Sequence, residues 1–328
     1  MESPFTIETP DGKDGTKKIP PTVKEMKMAK NRTIKTKFDF SGVVTALVTP
    51  FKKGRLDLPS VRRLVRHQLD SGVQGFVING TTGESPTLSA DEVKTLFSYV
   101  KKVSDHSVPL ILGTGSNSTT ETVKKTKAAA QMKADAALVV VPYYNKPPQR
   151  GLVAHYTEVA KASRVPILLY NVPGRTIVSL SVETILRLAQ VKNIHGIKEA
   201  SGNLDVAARI VSGAPKSFLL TSGDDGTCID FMNAGGRGVI SVISHVIPKE
   251  LRALSDRALR GERVGTEYVS KYKELNELLS LEANPIPVKT MLHLMGLIDS
   301  PELRLPLIAL DGENRLRVQS GLKKLGLI

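Results

Sequence analysis

The sequence predicts an α/β protein: a (β/α)8 TIM barrel over residues 38–246, followed by a C-terminal helical extension over residues 247–328. Three observations carry this reading. Short, almost continuous apolar runs recur from Val43 to Ser244, as do strands buried on both faces of a parallel sheet. Segments with helical spacing lie between them, and that alternation builds βαβ units. After the last run, helical patterns continue with no further strand. A chain of 328 residues, 41% hydrophobic, is large enough to fill such a barrel.

The eight runs are "VVTALVT" (43–49), "QGFVING" (74–80), "PLILGTG" (109–115), "AALVVVPYY" (136–144), "PILLYNVP" (166–173), "IHGIKEAS" (194–201), "SFLLTSGDD" (217–225) and "RGVISVIS" (237–244). Between the first two, Val61, Leu64, Val65 and Leu69 recur at helical spacing and the pattern closes on Gly72. After the second, Ser89 is a candidate N-cap with acids in the first turn, and Val93, Leu96, Phe97 and Val100 share one face. "STTETVKKTKAAAQMKA" and "SVETILRLAQ" behave alike. "PKELRALSDRALRG", "EYVSKYKELNELLSLE", "PVKTMLHLMGL" and "ENRLRVQSGLKKLGL" make up the extension, read as packed beside the barrel. Eight strand–helix units point to a closed barrel. An open doubly wound sheet for dinucleotides would carry G-x-G-x-x-G after its first strand, and none is there.

Residues 1–37 differ from the rest. They are rich in Lys, Thr, Pro and Gly with little apolar periodicity, so they read as a flexible basic arm. Glu2, Glu8, Asp11, Asp14 and Glu25 make it a poor match to an organelle transit peptide. No apolar run reaches the roughly 18 residues that span a bilayer. A single cysteine, Cys228, leaves no internal disulfide framework. The expectation is a reduced, soluble, cytoplasmic protein that does not engage membranes. The net charge of +14 raises nucleic acid as a partner. The lysines are scattered, aromatics are 5% and Trp is absent, so the charge reads instead as a solubilising surface that attracts small anions.

In a TIM barrel the active site lies at the C-terminal ends of the strands. Those ends here are "NGTTGES", Thr114 to Asn117, Tyr143-Tyr144-Asn145, Tyr170-Asn171 with "VPGRT" after it, Lys198, and "SGDD". They offer one amine, several hydroxyls, glycine-flanked N–H groups and one arginine. No cluster has metal-ligand spacing, and Asp224 and Asp225 read as helix caps more readily than as metal ligands. Lysine is seldom buried. Burial disfavours an ammonium, and a neutral amine is a nucleophile that forms a Schiff base with a carbonyl. The plain alternative is a lysine that reaches solvent or pairs with Glu199. A barrel acting only as a basic binding module is the rival of another class.

"GTTGES", "PYYNKP", "YNVPGRT", "GIKEASGN", "SGDD", "GVISV" and "NPIPVK" occur in this order. Together, from about residue 38 to the C-terminus, they resemble the dihydrodipicolinate synthase family of the pyruvate-dependent Schiff-base aldolases. The double threonine, the double tyrosine and the arginine separate that pattern from N-acetylneuraminate lyases and keto-deoxy-sugar-acid aldolases, which remain the alternative. The resemblance implies condensation of pyruvate with L-aspartate 4-semialdehyde in diaminopimelate and lysine biosynthesis, with no cofactor. It also implies a homo-oligomer, a tetramer built as a dimer of dimers.

By the same resemblance, Lys198 condenses with pyruvate and Tyr170 relays protons. Thr81 and Tyr144 complete the relay, and Tyr143 is supplied across the subunit interface. Thr82 holds the pyruvate carboxylate, Arg175 that of the semialdehyde, and Gly223 and Ile240 lend backbone groups near the lysine. Ser85, Asn117, Glu121 and Tyr143 match an interface site through which lysine inhibits some members. Ala90 and Val93 stand where lysine-sensitive members often carry histidine, and an apolar pair cannot hydrogen-bond an amino acid. Weak or absent feedback by lysine is the expectation.

Overall fold

The apolar runs become the staves of a closed barrel in the computed structural model, which describes residues 39–328; the arm expected over residues 1–37 lies outside them. The strands are β1 (Gly42–Ala46), β2 (Phe51–Lys52), β3 (Arg55–Leu56), β4 (Gly75–Ile78), β5 (Leu110–Gly113), β6 (Ala136–Val140), β7 (Ile167–Asn171), β8 (Ile194–Glu199), β9 (Leu219–Ser222) and β10 (Gly238–Ser241). Around the barrel the order is β1-β10-β9-β8-β7-β6-β5-β4, with every pairing parallel. The hairpin β2–β3 stands apart and was not legible as strands. Its turn places Lys53 and Gly54 at φ 53° and 76°, the left-handed pair of a tight hairpin turn.

The pleat decides which side chain meets which core. On β6 and β7, Ala136, Leu138, Leu168 and Tyr170 point into the barrel, while Ala137, Val139, Ile167 and Leu169 face the helices. Closure brings Gly42 of β1 opposite Gly238 of β10. A Cβ on Gly238 would lie 2.2 Å from the Gly42 carbonyl oxygen, so the seam accepts only glycine there.

The helix Ala90–Val103 starts where the sequence indicates. The Ser89 side chain accepts from the Glu92 N–H at 3.2 Å, and the Ser89 N–H donates to the Glu92 carboxylate at 3.0 Å. After β10, the helix Pro248–Leu259 packs Leu251, Leu254 and Ala258 into the core that holds Val43 and Leu64, and so completes the outer ring. Helices Gly265–Leu279, Ile286–Leu294 and Gly312–Lys324 follow. No helix among the described residues is long and apolar enough to cross a membrane.

Several apolar runs outlast their strands. Beyond β1, Leu47 and Val48 remain buried although the strand ends at Ala46. Beyond β10, Ile243–His245 turns into a short 3-10 helix. Its histidine carries a consequence for stability. His245 is buried, its Nε2 accepts the Val48 N–H at 3.2 Å, and its Nδ1 lies 2.9 Å from the Val242 carbonyl. That arrangement needs the neutral tautomer. Burial pulls its pKa down to about 4, and burial does the same to His155.

Both histidines are neutral in the fold and titrate near 6.5 when unfolded, so their contribution is fully present above pH 6.5. It is lost as pH falls toward 4, at a cost on the order of 3 kcal/mol each. A urea midpoint at pH 4.5 well below that at pH 7 is the expected result. Equal midpoints overturn it.

Candidate active site

Parallel pairing fixes neighbours at the barrel mouth. Lys198 on β8 stands level with Tyr170 on β7 and Thr221 on β9. Its ammonium nitrogen lies 4.5 Å from the centroid of the Tyr170 ring, and the lysine is only 6% exposed. Glu199, the next residue, points to the opposite face because side chains alternate along a strand. Its carboxylate accepts from the Asn171 side-chain amide at 3.1 Å, the Ser201 N–H at 2.9 Å and the Ser201 hydroxyl at 3.0 Å. Burial raises its pKa, and these donors oppose the rise. The lysine is therefore spared this carboxylate as a partner.

A cavity of about 280 Å³ opens over Lys198. Thr81, Thr82, Tyr170, Arg175 and Gly223 line it with the lysine, so six of the residues singled out from the sequence meet in one place. Thr81 and Tyr170 also line a smaller second cavity, about 90 Å³, together with Ser85 and Tyr143.

The two adjacent tyrosines are placed differently from one another. Tyr144, expected in the relay, lines neither cavity. It is 85% exposed, with φ +74°. Tyr143, expected to serve a neighbouring subunit, lines its own chain's second cavity and is 40% exposed. Adjacent residues leave the backbone in different directions, and the turn after β6 sends the second one outward. Ile240 packs inside the barrel beside Val44, and Val242 is the residue of that segment lining the cavity. Asn117 and Glu121 line neither cavity; the Asn117 carbonyl accepts from Asn145 at 2.8 Å, and Glu121 sits in the first turn of Thr119–Gln131.

The "SGDD" acids take up nearby donors, and the N-cap of the helix Cys228–Asn233 that follows is Thr227. Asp224 accepts from the Thr227 N–H at 3.0 Å and its hydroxyl at 2.7 Å. Asp225 accepts the N–H groups of Val242 and Ile243, both at 2.8 Å, at the start of the short helix.

The C-terminal extension forms part of the cavity wall, which the sequence did not reveal. Asn276, Leu279, Ser280 and Asn284 all line it. Asn284 holds two cavity-lining groups at once. Its side-chain amide donates to the Thr82 hydroxyl at 2.9 Å, and its carbonyl accepts from the Arg175 guanidinium at 3.2 Å. Its position at the head of "NPIPVK" was the available signal, but nothing local ties it to residues 202 and 109 positions away.

A family model described as the dihydrodipicolinate synthetase family matches residues 39–325. A 4-hydroxy-tetrahydrodipicolinate synthase from Bdellovibrio bacteriovorus is 51% identical over 294 residues, covering 88% of this chain and 99% of that protein. The crystal structure of dihydrodipicolinate synthase from Thermotoga maritima superposes with a TM-score of 0.86 at 44% identity, over 88% of this chain and 99% of that one. The enzyme from Acinetobacter baumannii, solved in complex with pyruvate, gives 0.86 at 41% identity, over 88% of this chain and 100% of that one. The match runs through the barrel and its extension alike: the chain belongs to the dihydrodipicolinate synthetase family.

Proposed function

We propose that the chain catalyses the 4-hydroxy-tetrahydrodipicolinate synthase reaction, the condensation of pyruvate with L-aspartate 4-semialdehyde. One observation carries the reading: a buried lysine at a barrel strand end, against Tyr170, in a cavity that also presents two threonines and one arginine. An amine there can attack the ketone carbon of pyruvate and expel water, leaving an iminium. The iminium withdraws electrons, and the methyl group loses a proton to give an enamine. The enamine carbon attacks the aldehyde. The amine of the second substrate then closes on the iminium carbon and displaces Lys198.

Tyr170 and Thr81, which line the cavity with the lysine, would pass the protons these steps require, and Thr82 would hold the pyruvate carboxylate. Arg175 suits the second carboxylate because a guanidinium fork matches a planar anion. Gly223 gives the lysine room. A Cβ there would lie 2.6 Å from the Lys198 Cε. Gly223→Ala is expected to lower kcat/KM about 100-fold through displacement of the nucleophile. Unchanged kinetics in that variant would show that the lysine acts from another pose.

Tyr144, exposed and in a left-handed backbone conformation, is the tyrosine available to a second copy's site, which supports a homo-oligomer working as paired dimers within a tetramer. Ala90 is exposed and Val93 half-buried, and neither offers a side-chain hydrogen bond to an amino acid. Lysine at millimolar concentration is expected to leave the rate within about twofold, since only backbone and remaining polar contacts could hold it. Steep inhibition below a millimolar refutes this.

The reaction itself is tested by coupling to dihydrodipicolinate reductase and following NADPH. Loss that requires both substrates supports the synthase. Turnover of sugar-acid aldehydes in place of the semialdehyde overturns it.

A further inference from the structure

Beneath the Gly80–Ser85 turn, which carries Thr81 and Thr82 into the cavity, lies a fully buried ion pair. The Lys289 ammonium donates to the Glu84 carboxylate at 2.8 Å, and both side chains are 0% exposed. Its other protons go to the Thr49 carbonyl at 2.9 Å and to the Glu302 carbonyl. The second carboxylate oxygen of Glu84 accepts the Arg304 N–H at 3.0 Å. Phe51 receives the Lys289 ammonium 4.5 Å and the Arg304 guanidinium 4.2 Å from its ring centroid. Every donor of the ammonium and both oxygens of the carboxylate are thus engaged. Each partner also ties β1's outgoing loop, the extension or the Glu302–Arg304 segment to the turn.

The turn itself is tightly wound. Gly83 N–H and Ser85 N–H both donate to the Gly80 carbonyl, Glu84 N–H to the Thr81 carbonyl, and the Thr49 hydroxyl to the Gly83 carbonyl. Glu84 adopts φ +56°, a left-handed conformation that a residue with a side chain keeps only when its surroundings impose it. The ion pair is the strongest such imposition at this residue. An apolar pair of similar volume would be as stable or more so, because burying two charges gains little net free energy. Stability alone does not account for charge at these two positions, whereas geometry does.

We propose that Lys289 and Glu84 are positioning residues for the reaction. Through them the extension holds the Gly80–Ser85 turn at the height where Thr82 meets the pyruvate carboxylate and Thr81 meets Tyr170. Asn284 clamps the same turn from above through the Thr82 hydroxyl, five residues before Lys289 on the same segment. This rests on the synthase reading for the identity of the substrate.

The test is the neutral double variant Glu84→Gln/Lys289→Met, which removes both charges together. Wild-type and variant are compared by thermal unfolding, by borohydride trapping of pyruvate on Lys198, and by KM for each substrate. The expected result is a melting temperature within a few degrees of wild type and a trapped adduct at saturating pyruvate. KM for pyruvate should rise at least about tenfold, and KM for the semialdehyde much less, because Arg175 lies outside the turn. A stable double variant with wild-type KM for pyruvate overturns the proposal.

Should the double variant fail to fold, Glu84→Asp withdraws the carboxylate by one methylene and keeps its charge. The same rise in pyruvate KM is then expected, and its absence overturns the proposal equally. Failure of the wild-type protein to trap pyruvate would instead count against the synthase reading.

Discussion

Replacing Lys198 with alanine is expected to remove turnover, by on the order of 10⁴-fold or more, while leaving the protein folded. The size follows from the role of the amine, since no other residue lining the cavity over Lys198 carries an amine that can form the iminium that activates the methyl group. The fold survives because Glu199 does not depend on the lysine. That carboxylate is satisfied by Asn171 and Ser201, so removing Lys198 strands no buried charge. Pyruvate and borohydride should add one reduced pyruvate to the wild-type mass and nothing to the variant. An adduct in Lys198→Ala would place the Schiff base on another amine and overturn the assignment.

The second large effect falls on stability. Lys289→Met alone takes the ammonium away from the buried Glu84 carboxylate and leaves the Arg304 N–H as its remaining direct partner. Breaking a buried pair by removing one partner costs about 3–5 kcal/mol. Burial already pulls the Lys289 pKa down, and the Glu84 carboxylate resists that pull, so each charge is held in place by the other. Denaturant unfolding of Lys289→Met should show the full loss, and Glu84→Gln/Lys289→Met should recover most of it. A single variant within 1 kcal/mol of wild type would mean that water or a neighbouring cation compensates the carboxylate. Additive losses in the double variant would mean that the two side chains act independently.

Much of the fold could be read from the sequence because the cues were local. Continuous apolar runs of strand length, alternating with helical segments, are the pattern of parallel strands covered on both faces, and eight such units point to a closed barrel. The Ser89 N-cap forms as expected, and Glu92 closes it into a capping box within four residues. The hairpin Phe51–Leu56 escaped because its strands are two residues each, too short to alternate. The break at Val242 escaped because Val242 and Ile243 carry the apolar pattern of "RGVISVIS" past it, while their N–H groups are taken by Asp225, a residue from the preceding loop.

For the site, the sequence by itself determined the cast: a lysine where a strand ends, with hydroxyls and an arginine at neighbouring strand ends. Strand order and register then had to bring Lys198 beside Tyr170, because parallel neighbours align their ends. The tertiary structure alone decided the rest. It alone left Tyr144 in solvent and set Tyr143 against a cavity, although both stand in the same dipeptide. It alone set Asn284 against Thr82 and Arg175, and Lys289 against Glu84, across separations of 202, 109 and 205 residues. The physical reason is one of range. Apolar periodicity and capping act over a few residues and leave a trace in the sequence, whereas a buried polar contact between distant segments depends on where the whole chain has packed.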